Sequence, residues 1–568
     1  MMAADHEAPT PRRRRHGRPW ALAVAVALAV TGTVGASEAS VRAPAPPSAL
    51  TSDQMRASLL TAPIVPDRWY MGVASHLGDA RGRASDGKMI GEIALTELGA
   101  MSLRDEAFWS EMKRGEPHFT GKLAVVGQHG GKLLLILDYG NPDLQQGGPF
   151  PDSPGERQAF LEYANEAISR IGYQNLAGIE IWNEWNVYMG WGGKYRWGDP
   201  CPTDPTDAPG CPRMYAQLVE TLLYPEREGL TLPSLRQTAP GVPVIVNAIS
   251  ARDPAWTSAS MGYLRDRGVQ VDGAAIHPYV AFHNGCPGTE RPPSGPQVAA
   301  RCVAVTAEDV ARDYGQRLPM WVTEVGWSRA GTHAVSHETQ AVYLVETYVR
   351  TRATGVTAGI WWYDLQDDLH PGSPEEAHYG LVGRDPSDVV RPGAVHPSGR
   401  AFAALARFWA GCASISGAYQ QNRAFTLTCA DETRQIILAA TADELAAAAA
   451  GGGTLVDLLG ERPHVPASGD VASLAGRPVG IAPPGATIEA VPEGLLSENP
   501  PTVEVPSSTT DETSTTTLGG RASSLVSALP GPNLAWLLGG GAVLLAAAGG
   551  LVAVLVRRRR RRGSSAAA

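Results

Sequence analysis

Charge and cysteine are both scarce in this sequence. Charged residues make up 18% of its 568 positions, and only six residues are cysteine. None of the six forms a CxxC pair or a Cys/His cluster with zinc spacing, so no zinc finger is written here. No internal repeat is evident, which argues against a repeat architecture. Positive charge is missing where nucleic acid would need it. The formal charge is −9, but five arginines lie within 1–36 and six more fill 557–562. The chain between those ends carries 55 acidic against 37 basic residues, and an acidic surface does not bind phosphates. What is present is apolar: 43% of the chain, enough for a globular protein with a large core.

The ends read as targeting signals. Arg12 to Arg15 and Arg18 precede an apolar run over 20–30 and the small residues Val34-Gly35-Ala36. This pattern predicts a secretory signal peptide over 1–36, the alternative being an uncleaved anchor. At the other end, 534–556 is a 23-residue run without charge, followed by the arginines of a 557–568 tail. A run of that length spans a bilayer of about 30 Å, and its basic flank stays cytoplasmic. A cell-wall sorting signal has a similar layout, but Leu529-Pro530-Gly531-Pro532-Asn533 lacks the Thr-Gly of the usual motif. The expected location is therefore the cell surface, with the bulk of the chain outside. An even cysteine count suits that oxidising side, and three sequence-local pairs stand out: Cys201/Cys211, Cys286/Cys302 and Cys412/Cys429.

Between the ends, 37–65 is a flexible Ala/Pro/Ser-rich leader, and 493–530 is a disordered Ser/Thr/Pro-rich stalk. Apolar strand-like runs at 69–74, 99–103, 132–137, 178–182, 242–247, 273–276, 320–323 and 358–362 alternate with helical patterns such as 155–171, 214–224 and 336–354. Eight strand-then-helix units predict a (β/α)8 TIM barrel over 66–409. A doubly wound sheet competes, but no glycine-rich phosphate loop follows any of the runs. Alternating segments at 425–428 and 435–440 predict a small C-terminal β-sandwich over 410–492.

Function in a barrel sits where strands end. The fourth run ends Ile179-Glu180-Ile181-Trp182-Asn183-Glu184-Trp185-Asn186, and the seventh ends Trp321-Val322-Thr323-Glu324-Val325-Gly326-Trp327. Each places a carboxylate after an apolar strand, and two carboxylates flanking a sugar bond are what glycoside hydrolysis requires. Glu180 shares the parity of Trp182 and Glu184, which would make it a second inward carboxylate without an assigned role. Nine of the 14 tryptophans lie between 182 and 362, with Trp185, Trp191 and Trp197 crowding the loop after the fourth strand. Aromatic rings stack on sugar C–H faces, although core packing accounts for many of them.

In these two motifs the chain resembles the clan A retaining glycoside hydrolases over about 68–408, and most closely family 39 and its relatives. Gly72-Val73-Ala74-Ser75-His76, Ser102-Leu103-Arg104-Asp105, Ile276-His277-Pro278-Tyr279 and Tyr379-Gly380-Leu381-Val382 carry the same resemblance. It implies that Glu184 is the general acid and then base, and Glu324 the nucleophile. Asn183 would bind the sugar 2-hydroxyl, while Arg104 and Tyr279 would hold Glu324 ionised. His277 would line the site, and Trp361 or Trp362 would form the floor under the cleaved sugar. Trp185 stands where many relatives have proline. Other readings stay open: Arg104 pairing Asp105, Tyr279 as rim packing, and His333 with His337 as a helix start and not a metal site. No cofactor or metal is implied. The expected substrate is an extracellular or envelope oligo- or polysaccharide. A non-catalytic carbohydrate-binding barrel and a transglycosylase are the alternatives.

Overall fold

The computed structural model describes residues 69–496, apart from 78–89, 113–122, 124–125, 140, 142–149, 152, 187–210, 281–285, 287–294, 369–375, 385–391 and 462–470. The expected signal peptide, leader, stalk from 497 on, 534–556 run, basic tail and Cys201 thus lie outside the described residues; the first four residues of the expected disordered stalk instead form a helical turn, Glu493–Leu496, because Leu495 is buried. Among the described helices, none is long and apolar enough to cross a membrane.

Eight strands close into a parallel barrel in sequence order: β1 (Tyr70–Ala74), β2 (Ser102–Phe108), β3 (Lys132–Asp138), β4 (Leu176–Ile181), β5 (Val244–Ser250), β6 (Gly273–His277), β7 (Met320–Val325) and β8 (Thr357–Trp362). The ring closes through β1–β8 pairing, with Gly72 opposite Trp361. Long helices follow six of these strands: α1 (Pro154–Ile171), α2 (Cys211–Leu223), α3 (Pro254–Asp266), α4 (Pro296–Tyr314), α5 (His337–Arg352) and α6 (Pro397–Trp409). Their starts are encoded locally. Ser153 and Glu156 form a reciprocal capping box with Pro154 at the first helical position. Asp253 caps α3 and Ser336 caps α5 through their side chains.

Side chains alternate between the two sides of the barrel wall. In β3, Leu133, Leu135 and Leu137 join the core shared with the helices. Leu134 instead points inward, joining Ile245, Ala275, Trp321 and Trp361 in a separate cluster inside the barrel. Trp321 and Trp361 stack there with centroids 5.4 Å apart. Glycine makes room for them: a Cβ on Gly72 would lie 2.3 Å from the Trp361 ring, and one on Gly273 2.5 Å from Trp321 Nε1. This plug fills the lower barrel and leaves the opposite end for polar groups.

Strand β2 differs most from the expectation. It runs over Ser102–Phe108 and not 99–103, because its C-terminal half carries Arg104, Asp105 and Glu106, which interrupt the apolar signal.

The C-terminal part corrects the expected β-sandwich. It is one antiparallel five-stranded sheet in the order β11-β12-β13-β15-β14, formed by β11 (Cys412–Ser416), β12 (Ala424–Cys429), β13 (Thr433–Ile437), β14 (Thr454–Asp457) and β15 (Val479–Ala482). A preceding two-stranded ribbon pairs β9 (Val382–Arg384) with β10 (Pro392–Val395). The physical reason is that helices cover both faces. Phe425, Leu427 and Ile436 join the barrel's outer core. On the other face Ile437, Leu455 and Val479 pack with Leu445 of α7 (Ala442–Ala450). Arg434 donates to the Phe408 carbonyl at 2.5 Å, and Arg352 donates to the Ala413 carbonyl at 2.8 Å while lying over Trp69. Two of the three expected cysteine pairs are bonded, Cys286–Cys302 and Cys412–Cys429.

Candidate active site

Arg104 organises the upper barrel from β2. Its Nε and one terminal nitrogen donate to the two oxygens of Glu180 at 2.9 and 3.0 Å. Its other terminal nitrogen donates to Glu324 Oε1 at 2.6 Å, and a further bond of 2.9 Å reaches Asn183 Oδ1. One guanidinium thus ties β2, β4 and β7 together, in the fork geometry that only arginine offers. Arg104 bonds both glutamates, and Asp105 instead accepts from Ser75 Oγ at 2.7 Å.

Glu180 is completely buried. Burial raises its carboxyl, but the Arg104 charge and the bonds from His277 and Arg104 outweigh this and bring it down to about 2. It is a permanent anion that holds the arginine in place.

Glu184 follows β4 on a sharply turned backbone. Trp182 and Glu184 both adopt left-handed conformations, at φ 65° and 47°, uncommon for non-glycine residues and concentrated at functional sites. Two bonds fix the turn: Trp182 N–H donates to the Leu137 carbonyl, and Glu184 N–H to the Ala248 carbonyl at 2.9 Å. The carboxylate meets His277 Nδ1 at 2.7 Å. His277, buried at the end of β6, contacts Thr323 Oγ1 at 2.9 Å through its other nitrogen. Burial lowers the His277 value, but the charge of Glu324 and the bonds to Glu180 and Glu184 win, and it rises to about 9.

Glu324 completes the group. Tyr279 donates to its Oε2 at 2.8 Å while Arg104 holds Oε1. Burial raises this carboxyl, but the His277 and Arg104 charges and the Tyr279 and Arg104 bonds hold it below the usual carboxylate value. Single oxygens of Glu184 and Glu324 and a ring nitrogen of His277 lie within 4.8 Å of one another. Glu184, Glu324, Asn183, Arg104, His277 and Tyr279 therefore meet in one place.

The tryptophans do not join them. Trp361 is fully buried in the barrel plug, with its indole N–H donating to Ser102. Trp362 is fully buried on the outer side of β8, beside Trp327. Trp185 stacks on Phe150 with centroids 4.2 Å apart and is 1% exposed. Alternation along β8 sends one indole into the plug and the other into the helical shell, so neither offers a face to a sugar. Trp191 and Trp197 lie outside the described residues.

Tyr363, Glu106, Asp364 and Asp138 carried no sequence signal of their own, and His76 entered only as part of a motif, without a role. Half-buried Tyr363, one position beyond the tryptophan pair, stands edge-on to Tyr279 and Tyr379. His76, Glu106 and Asp364 form a further ionic group, with His76 Nε2 3.3 Å from Asp364 and Nδ1 3.7 Å from Glu106. Asp138, at the end of β3, is buried with neither carboxylate oxygen hydrogen-bonded. Burial and the neighbouring Glu106 charge push it well above the ordinary value.

No family model matches the sequence, and no curated protein matches it. Solved structures do. A family 39 glycoside hydrolase from the gut symbiont Bacteroides cellulosilyticus WH2 aligns with a TM-score of 0.50 at 21% identity, covering 74% of this chain and 82% of that one. The barrel fold is shared with that glycoside hydrolase. The GH5_18 protein from Streptomyces cattleya, solved with Manb1-4GlcNAc, aligns at a TM-score of 0.42 and 17% identity over 60% of this chain and 81% of its own. At these identities the similarity is one of fold, and the chemistry has to be argued from the residues.

Proposed function

We propose that the protein is a retaining glycoside hydrolase acting on an oligo- or polysaccharide. The observation that carries this reading is the carboxylate pair, Glu184 and Glu324, with oxygens within 4.8 Å of each other at the ends of β4 and β7. Retaining enzymes keep their two carboxyl groups about 5–5.5 Å apart, whereas inverting enzymes need about 6.5–9.5 Å to admit a water.

The two carboxylates have unlike surroundings, as two unlike roles require. Glu324 is an anion between Arg104 and Tyr279, held ionised to attack the anomeric carbon. Glu184 meets His277 Nδ1 and, among the described residues, is hydrogen-bonded to no arginine or lysine; in this reading it gives its proton to the leaving oxygen. It then takes a proton from the water that releases the glycosyl-enzyme. Asn183, fixed by Arg104 and donating to Tyr139 at 3.0 Å, is placed to meet the sugar 2-hydroxyl.

Export and anchoring belong to the same reading. The 1–36 leader would direct secretion, and the 534–556 run with its arginine flank would hold the enzyme at the cell surface.

A glycan-library hydrolysis screen tests the proposal. Wild-type protein should release sugar from at least one glycan, and Glu324→Gln should lose about 10³-fold or more in kcat. Glu184→Gln should keep turnover on substrates with activated leaving groups. Normal hydrolysis by both variants would refute the assignment.

A further inference from the structure

The loops after β1 and β8 hold a second set of donor atoms that the proposed hydrolytic chemistry does not use. His76 follows β1, while Asp364 and Asp368 follow β8, and closure of the barrel brings the two segments together. A ring nitrogen of His76 and one carboxylate oxygen from each aspartate lie within 4.8 Å of one another. His76 Nε2 is 3.3 Å from Asp364 Oδ2. Two ligand atoms sharing one ion at about 2.0–2.2 Å stand roughly 3.0–3.4 Å apart, so this pair already has that spacing.

Two further observations point to a ligand. Asp364 is 2% exposed, and its Oδ2, turned toward His76, makes no hydrogen bond. A buried carboxylate oxygen whose polar neighbour is an imidazole nitrogen at 3.3 Å is completed by a cation, either the protonated ring or an ion shared with it. On the other side of the ring, Glu106 Oε2 lies 3.7 Å from His76 Nδ1 and also lacks a hydrogen bond. A carboxylate behind the distal nitrogen of a histidine is the usual support of a metal-binding imidazole: it fixes the tautomer and turns the other nitrogen to the ion.

The geometry points to a divalent-cation site formed by His76, Asp364 and Asp368, with Glu106 orienting the histidine. One imidazole nitrogen and two carboxylates suit a first-row ion such as Zn²⁺ or Mn²⁺, and the two negative charges balance it. Three protein donors leave coordination positions for water or for sugar hydroxyls entering beside Tyr363. The neighbouring set Glu184, His277 and Glu324 also converges, but its atoms are engaged: Arg104 and Tyr279 hold both oxygens of Glu324, and Thr323 meets His277 Nε2.

Calorimetric titration of the untagged, chelator-treated full chain tests the site. Zn²⁺ or Mn²⁺ should bind at one site per chain. Asp368→Asn should weaken that binding tenfold or more, with the melting temperature of the metal-free protein unchanged. Glu184→Gln should leave the affinity unaltered. Absence of binding by either ion up to about 1 mM would overturn the proposal. So would binding that survives Asp368→Asn and is lost in Glu184→Gln, since the ion would then sit on the catalytic carboxylates.

Discussion

Arg104 and Glu180 are the two residues on which the geometry of the proposed catalytic site turns. Their bidentate pair is buried, and such a pair is worth most as a positioning device, because removing one partner strands the other charge. Tyr279 is the safer probe, since it adds one neutral bond to Glu324. Tyr279→Phe should reduce kcat/KM about ten- to a hundredfold. It should also move the acid limb of the pH profile to higher pH, because Glu324 loses a donor that favours its charged form. Steady-state kinetics across pH read both effects. His277 makes a separate claim on stability. Its value rises from 6.5 unfolded to about 9 folded, so its contribution is full below 6.5 and is lost as pH rises through 9. That contribution is on the order of 3 kcal/mol. Between pH 6.5 and 9.5 the wild type should therefore lose more stability than His277→Gln, as followed by denaturant unfolding.

Among the elements, the apolar runs of the barrel were readable because strands buried on both faces keep few polar residues. β3, with five consecutive apolar residues from Leu133 to Leu137, shows this plainly. β2 extends beyond the apolar run for the complementary reason: it carries Arg104, Asp105 and Glu106 into the polar end of the barrel, and these charges break the pattern that marks a strand. Glu184 and Glu324 could be found because each follows such a run directly. His76, Asp364 and Asp368 carried no spacing signal, because only the β1–β8 closure makes them neighbours. The tryptophans misled because composition counts rings without saying which side of a strand they take. The plug around Trp361 gives a prediction at this scale. Gly72→Ala would drive a methyl group into that indole, which cannot swing away from the stacked Trp321. Thermal unfolding should show a loss of about 1–3 kcal/mol or more.

At the scale of the described molecule, the C-terminal sheet packs on no second sheet among the described residues and borrows its partner from the barrel. Phe425, Leu427 and Ile436 complete the core beneath α5 and α6, and Arg434 bonds the carbonyl at the end of α6. Barrel and sheet should therefore melt in one transition. Arg434→Met should lower that single midpoint at a cost of about 1.5–3 kcal/mol, with loss of activity and loss of β-sheet signal coinciding on heating. The central claim concerns the chemistry proposed for the other end of the barrel, where one oxygen of Glu184 and one of Glu324 lie within 4.8 Å of each other, a spacing that favours the retaining reading. It is tested most directly by proton NMR of the first product released from a glycan the full chain cleaves. The account predicts a product with the same anomeric configuration as the bond that was cut; an inverted product would contradict it.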